Sequence, residues 1–197
     1  MPGYKRVECR LLFRTTMNKL TFITGNAAKA KYLADYSHFS VEHVKLDLKE
    51  IQSLDTTEVA VDKAKRAYEI LKSPVLVEDG SLVFNAMKPL PGPLIKWFYE
   101  TLGNHGLVKM VDGLGDRNAT SEVVFALCDE TGVHPFGATM EGTIATSPRG
   151  EIGFGWDPIF IPKGHNKTWA EMSDDEKHET SMRKPALEKL SKYLSTL

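Results

Sequence analysis

Residues 74–77 read Pro-Val-Leu-Val and run directly into Glu78-Asp79-Gly80. An unbroken apolar run of strand length, with no polar alternation, is the pattern of a strand covered on both faces. A chain containing such a strand must lay helices on both sides of a sheet. The flanking patterns supply them. Leu20–Thr24 predicts a first strand, and Ala30, Leu33 and Ala34 put one apolar face on a helix over Ala27–Tyr36. Val44, Leu46 and Leu48 alternate along a half-buried strand over Val41–Leu48. Asp55-Thr56-Thr57-Glu58 resembles a capping box, and Ala60, Ala64, Ala67, Tyr68 and Leu71 stripe a helix over Thr56–Lys72. Lys63, Lys65 and Arg66 fall mostly off that stripe. The apolar run at 75–77 is then expected to end at Glu78.

Pro89, Pro91 and Pro93 exclude regular structure between the buried strand and a helix over Leu94–Leu102, followed by a shorter one over Leu107–Val111. Glu122–Cys128 predicts a strand and Phe136–Ala145 its antiparallel partner. Leu187, Leu190 and Leu194 stripe a C-terminal helix. Early βαβ alternation followed by paired strands specifies a mixed α/β sheet with helices around it.

The 197 residues carry a net charge of −1. Nucleic-acid and membrane-surface binders work through a large basic excess, so this balance excludes both as general activities. No stretch approaches the roughly 20 apolar residues of a membrane span, and no secretory signal is recognisable. Cys9 and Cys128 lack metal-ligand spacing and read as reduced thiols of a cytoplasmic protein. Residues 1–17 read as an N-terminal extension, with Met17 an alternative start, ahead of one domain over 18–197. Any bound anion must be held by a local constellation.

Three stretches offer one. In Thr24-Gly25-Asn26-Ala27-Ala28-Lys29 a strand gives way to a glycine turn and a basic helix start, where exposed N–H groups and the helix dipole favour phosphate. On that motif alone, Asn26 as a structural cap outranks phosphate binding. Lys29 is preferred to Lys31, which lies about 200° around the helix. Glu78 and Asp79 are costly beside a buried strand unless paired, solvated or bound to a cation, and Glu50 is a further carboxylate after a strand. Magnesium prefers one or two carboxylates plus substrate phosphates, while a water-facing strand end is the plainer alternative. Phe154-Gly155-Trp156-Asp157-Pro158 is either a loop that stacks on a planar base or the aromatic entry to a core strand. Lys177 and Arg183 can reach an anion. Zinc spacing and nucleophile–histidine motifs are both missing.

These motifs occur in a familiar order. Together with Leu90-Pro91-Gly92-Pro93 and Ala170-Glu171-Met172, the chain resembles the inosine/xanthosine triphosphate pyrophosphatase family over about residues 19–194. The resemblance implies a long central sheet, two lobes around an active-site cleft, a homodimer and Mg²⁺ as cofactor. It implies hydrolysis of non-standard purine triphosphates (ITP, dITP, XTP) to the monophosphate and pyrophosphate. It places Thr24, Gly25, Asn26 and Lys29 on the triphosphate with Lys177 and Arg183, and Glu50 and Asp79 on the metal. It also implies that Asp79 is the base that activates water. By the same resemblance, Gly80, Phe154, Gly155, Trp156, Asp157, Ser181 and Met182 are expected to complete the substrate site. Relatives often carry histidine where this chain has Met182, so base discrimination here is expected to lean on backbone groups, Asp157 or Arg183. A nucleotide-binding module with weakened chemistry, and a pyrophosphatase for another modified triphosphate, are the alternatives.

Overall fold

The structure is a computed structural model that describes residues 19–37 and 39–197. The expected N-terminal extension, with Cys9 and Met17, lies outside the described residues. The described chain forms a seven-stranded sheet of β1 (Lys19–Ile23), β2 (Ser40–Val44), β3 (Val75–Phe84), β4 (Pro91–Gly92), β5 (Asn118–Asp129), β6 (Gly132–Ile144) and β7 (Phe160–Pro162). Around it lie helices α1 (Ala27–Tyr36), α2 (Thr56–Leu71), α3 (Ile95–Asp112), α4 (Asp174–Thr180) and α5 (Arg183–Leu194). The strand order is β2-β1-β3-β5-β6-β7, with β4 beside β3. The β2-β1-β3 part is parallel, because α1 and α2 are its crossovers. From β3 outward every pairing is antiparallel. The mixed α/β class read from the sequence is therefore the fold observed.

Strand β3 is covered on both faces, as its apolar run requires. Leu76, with Phe125 and Leu127 of β5, packs with Leu33, Leu187 and Leu190. Val75 and Val77 alternate to the other face and meet Ala60, Ala64 and Ala67 of α2. Three alanines let α2 lie close to the sheet.

Several elements differ from the sequence reading. Strand β3 does not stop at Glu78 but continues to Phe84, paired with β5 from Val75↔Cys128 to Phe84↔Ala119. Its parallel neighbour β1 does stop, at the register Ile23↔Val77. Glu78, Asp79 and Gly80 thus project past the end of β1, opposite the start of α1. That is the carboxyl edge of the parallel part, where ligands collect in open α/β sheets. Strand β2 ends at Val44 rather than Leu48, and the proline run expected to exclude regular structure contributes the two-residue β4, paired with β3 at Leu82↔Gly92 and Val83↔Pro91. Helix α3 joins the two expected helices across a break at Gly103 (φ 62°, ψ 179°), a conformation open to glycine alone. The acidic run after Ser173, which carries no apolar stripe, forms α4, opened by a capping box between Ser173 and Glu176.

Candidate active site

The turn after β1 is built by side chains. Asn26 Oδ1 accepts the N–H groups of Ala28 (2.9 Å) and Lys29 (3.3 Å), and the Asn26 N–H donates to Thr24 Oγ1 at 3.0 Å. Gly25 and Asn26 are exposed at the tip. Lys29 reaches back to β3, where Nζ lies 3.3 Å from both the carbonyl oxygen and Oε1 of Glu78. Lys31 pairs with Asp35 on the outer face of α1, so of the two lysines only Lys29 faces the strand end.

The two-residue period of a strand sends Glu78 and Asp79 to opposite faces. Glu78 is fully buried and meets Arg183 through both oxygens, Nη2–Oε1 at 2.8 Å and Nε–Oε2 at 3.3 Å, in addition to Lys29. Burial pushes its carboxyl up, but Arg183 and Lys29 outweigh that and hold it below the usual range. Asp79 faces α2, where Lys63 Nζ lies 2.6 Å from its Oδ2 and 2.5 Å from Glu50 Oε1. One ammonium is shared by two carboxylates. Burial therefore raises the Asp79 carboxyl above its usual value, since half a cation does not offset the lost hydration. Glu50 is less buried, and the Lys63 charge outweighs burial to hold it low. Lys63 feels both carboxylates, which overcome burial and raise its pKa.

The strand thus separates two electrostatic settings. On one face two cations, Lys29 and Arg183, meet one carboxylate and favour an added anion. On the other, two carboxylates meet one cation and favour added positive charge. Glu50 and Asp79 already converge on the single ammonium of Lys63, a stand-in for a hard cation, so this pair fits Mg²⁺. Among the described residues no group of three His, Cys, Asp or Glu forms a metal site. Further oxygen ligands would have to come from phosphate and water.

The aromatic loop is organised by Asp157, which is 3% exposed. Its Oδ2 accepts the Phe154 N–H at 2.6 Å and the Lys177 ammonium. Gly153 (φ 98°) is required there, because a Cβ would run into that carboxylate. The Phe154 ring lies 4.7 Å from Lys177 Nζ and 5.1 Å from Arg183 Cζ, within cation–π reach of both. The Gly155 carbonyl accepts from Asn104 Nδ2 at 3.1 Å, and Trp156 Nε1 donates to Ser121 Oγ at 3.3 Å. A Cβ on Gly80 would lie 3.5 Å from Trp156 Cη2, so the indole crosses the strand at a residue without a side chain. Ser181 Oγ accepts the Arg183 N–H at 3.2 Å. Met182 is buried, its sulfur 3.6 Å from Ser181 Oγ and 3.7 Å from Ser121 Oγ.

Arg183 links these parts, touching Glu78 and, through it, Lys29 while lying against Phe154. Glu50 and Asp79 are joined separately through Lys63. A cavity of about 350 Å³ lies elsewhere, between β5, β6 and β7, and none of these residues lines it. Sequence reasoning missed Lys63, Ser121 and Asn104. The expectation that Lys63 falls off the apolar stripe of α2 is overturned: it lies three residues after Ala60 and four before Ala67, on the stripe itself, and that spacing was the signal. A lysine inside an apolar stripe needs a buried partner. Ser121 and Asn104 carried no comparable mark.

The same arrangement of elements occurs in solved structures. A HAM1 protein from Coxiella burnetii aligns with a TM-score of 0.79 at 26% identity, covering 91% of this chain and 99% of that one. A nucleoside-triphosphatase described as a dITP/XTP pyrophosphatase from Mycobacterium abscessus aligns at 0.69 and 26% identity, covering 87% and 98%. In sequence the chain is 46% identical over 174 residues to inosine triphosphate pyrophosphatase 2 of Trypanosoma cruzi, covering 86% of this chain and 89% of that protein. It is 45% identical over 181 residues to the inosine triphosphate pyrophosphatase of Yarrowia lipolytica, covering 89% and 95%. The Ham1 family model matches residues 20–193, which is the whole described fold but for its ends, and the chain belongs to the Ham1 family.

Proposed function

We propose that the protein hydrolyses non-standard purine nucleoside triphosphates, of the ITP, dITP and XTP type, to the monophosphate and pyrophosphate. The observation that carries this reading is the division of charge across β3. Lys29 and Arg183 offer positive surplus on one face, and Glu50 and Asp79 offer negative surplus on the other. A triphosphate with a hard cation is the ligand that needs both. Thr24, Gly25 and Asn26 form the turn against which the phosphates lie, with Lys29 supplying charge. Phe154 and Trp156 offer flat faces to the purine, beside Gly80, Gly155 and Ser181. Asp157 and Lys177 hold that loop in shape. Met182, packed under Ser181, shapes the pocket without offering a donor to the base edge.

Glu50 and Asp79 would hold Mg²⁺, which when bound supplies positive charge to the phosphate oxygens. Asp79, its carboxyl raised by burial, is suited to take a proton from the attacking water. Water oxygen bonds to the α-phosphorus, the bond from that phosphorus to the bridging oxygen breaks, and pyrophosphate leaves. Arg183 and Lys29 stabilise charge on the phosphate oxygens as this proceeds. The test is incubation with ITP, XTP, dITP, GTP and dUTP plus Mg²⁺, with pyrophosphate and orthophosphate measured separately. Pyrophosphate from the inosine and xanthosine substrates, abolished in Asp79→Asn, is the expected result. Orthophosphate as the product, preference for dUTP, or full turnover by Asp79→Asn would each refute it.

A further inference from the structure

Ser121 is paired with Leu82 across β3 and β5, so its side chain emerges on the face that carries Glu78 and Gly80. The following residues on that face are Val123, Phe125 and Leu127, all fully buried and apolar. A fully buried hydroxyl in such a row needs partners. Its Oγ accepts the Trp156 indole N–H at 3.3 Å, and its single proton points either to the Ser81 carbonyl (3.5 Å) or to Met182 Sδ (3.7 Å). The indole is therefore fixed at both ends. Its six-membered ring crosses the bare backbone at Gly80, and its N–H is anchored on Ser121.

We propose that Ser121 is a positioning residue that sets the plane of Trp156 for stacking on a purine. The inference rests on the reading of the Phe154–Asp157 loop as the base site and deepens it. Without the hydroxyl, the indole N–H has no acceptor on the strand, and the ring turns to find one. Stacking is lost equally in the ground state and the transition state, so the effect falls on KM and not on kcat. Ligands that present phosphates without a base do not feel the change.

The experiment uses Ser121→Ala, with Ser121→Cys retaining a weak acceptor at the same place. Trp156→Phe identifies the indole resonance of Trp156 in a ¹⁵N–¹H spectrum. KM and kcat are measured for ITP, and inorganic tripolyphosphate serves as a competitive inhibitor lacking a base. In Ser121→Ala the Trp156 indole resonance is expected to move and to exchange faster with water, while those of Trp97 and Trp169 stay in place. KM for ITP should rise about tenfold, the size of one lost hydrogen bond, with kcat within about twofold. Tripolyphosphate inhibition should be unchanged, and Ser121→Cys should fall between the alanine variant and wild type. An unmoved indole resonance with unchanged KM in an active enzyme overturns the role of Ser121. So does a fall in kcat and tripolyphosphate binding together, which marks a general structural loss. A wild-type protein that releases no pyrophosphate from ITP instead overturns the reading of the site itself.

Discussion

At the scale of single residues, the adjacent carboxylates of β3 do different work because the strand points them apart. Glu78 belongs to the fold as much as to the site. It neutralises Arg183, which is 3% exposed, and removing that neutralisation leaves a buried guanidinium without its partner. Loss of one member of a buried pair costs about 3–5 kcal/mol. Glu78→Gln is therefore expected to lower Tm sharply in calorimetry, and to lose turnover with it. Asp79 is in the opposite condition, a mostly buried carboxylate whose ion-pair partner, Lys63, is shared with Glu50. Asp79→Asn relieves the burial of charge and leaves Lys63 paired with Glu50, so Tm should barely change while turnover disappears. Equal loss of stability in the two variants would contradict the division of labour between the faces.

Among the elements, α1 and α4 are joined by a ring cluster that ties the helix carrying Lys29 to the helix carrying Lys177. Tyr32 Oη lies 2.6 Å from His178 Nδ1, Tyr36 stacks on the same imidazole at 4.0 Å, and Tyr36 Oη donates to Asp175 Oδ1 at 3.3 Å. Burial, chiefly, lowers the His178 pKa below its usual 6.5; of the nearby charges, Lys184 acts in the same sense, while Glu179, Asp175 and Glu188 oppose it. The folded state thus prefers the neutral ring. Its contribution to stability is complete above pH 6.5 and is lost as the pH falls from there through the folded value, because the unfolded chain takes up the proton first. Thermal melts should show Tm falling from pH 7.5 to pH 5.5 more steeply in wild type than in His178→Gln, on roughly the one-proton scale of such linkage. Parallel curves would mean that the ring is not selected in its neutral form. The elements also show what was legible beforehand. Helix α1 was readable to its ends because cap and stripe agree, and α2 nearly so. The course of β3 past Val77 was not, because a carboxylate pair inside a strand is unfavourable until Arg183, more than a hundred residues away, is brought beside it. Helix α4 was hidden for a related reason: seven polar residues have no apolar stripe, and the helix is held by its cap and by buried Lys177.

For the whole molecule, the sheet explains why distant motifs form one site. Strand β3 pairs with parallel β1 on one side and antiparallel β5 on the other. The first pairing brings the Thr24–Lys29 turn to Glu78, and the second brings Ser121 under the aromatic loop. None of this uses the outer surface of α3, where Trp97 is 60% exposed. Leu54, 51% exposed, sits on the loop whose backbone approaches Gly92, just before that helix begins. Large aromatic side chains are enriched in the buried centres of protein interfaces, and a second copy of the chain is the occupant that the family resemblance implies. If this surface joins two chains, Trp97 is near its centre and a charge there is desolvated on association. Sedimentation equilibrium should then give a dimer of the 22.0 kDa chain for wild type. In Trp97→Asp the dissociation constant should rise by at least about thirtyfold, the cost of losing an interface hot spot. Because Glu78, Asp79 and Trp156 are held by Arg183, Lys63 and Ser121 of the same sheet and its helices, the monomeric variant should keep the melting behaviour of the sheet. An unchanged dimer in Trp97→Asp, or a monomeric wild type, would remove this face from consideration.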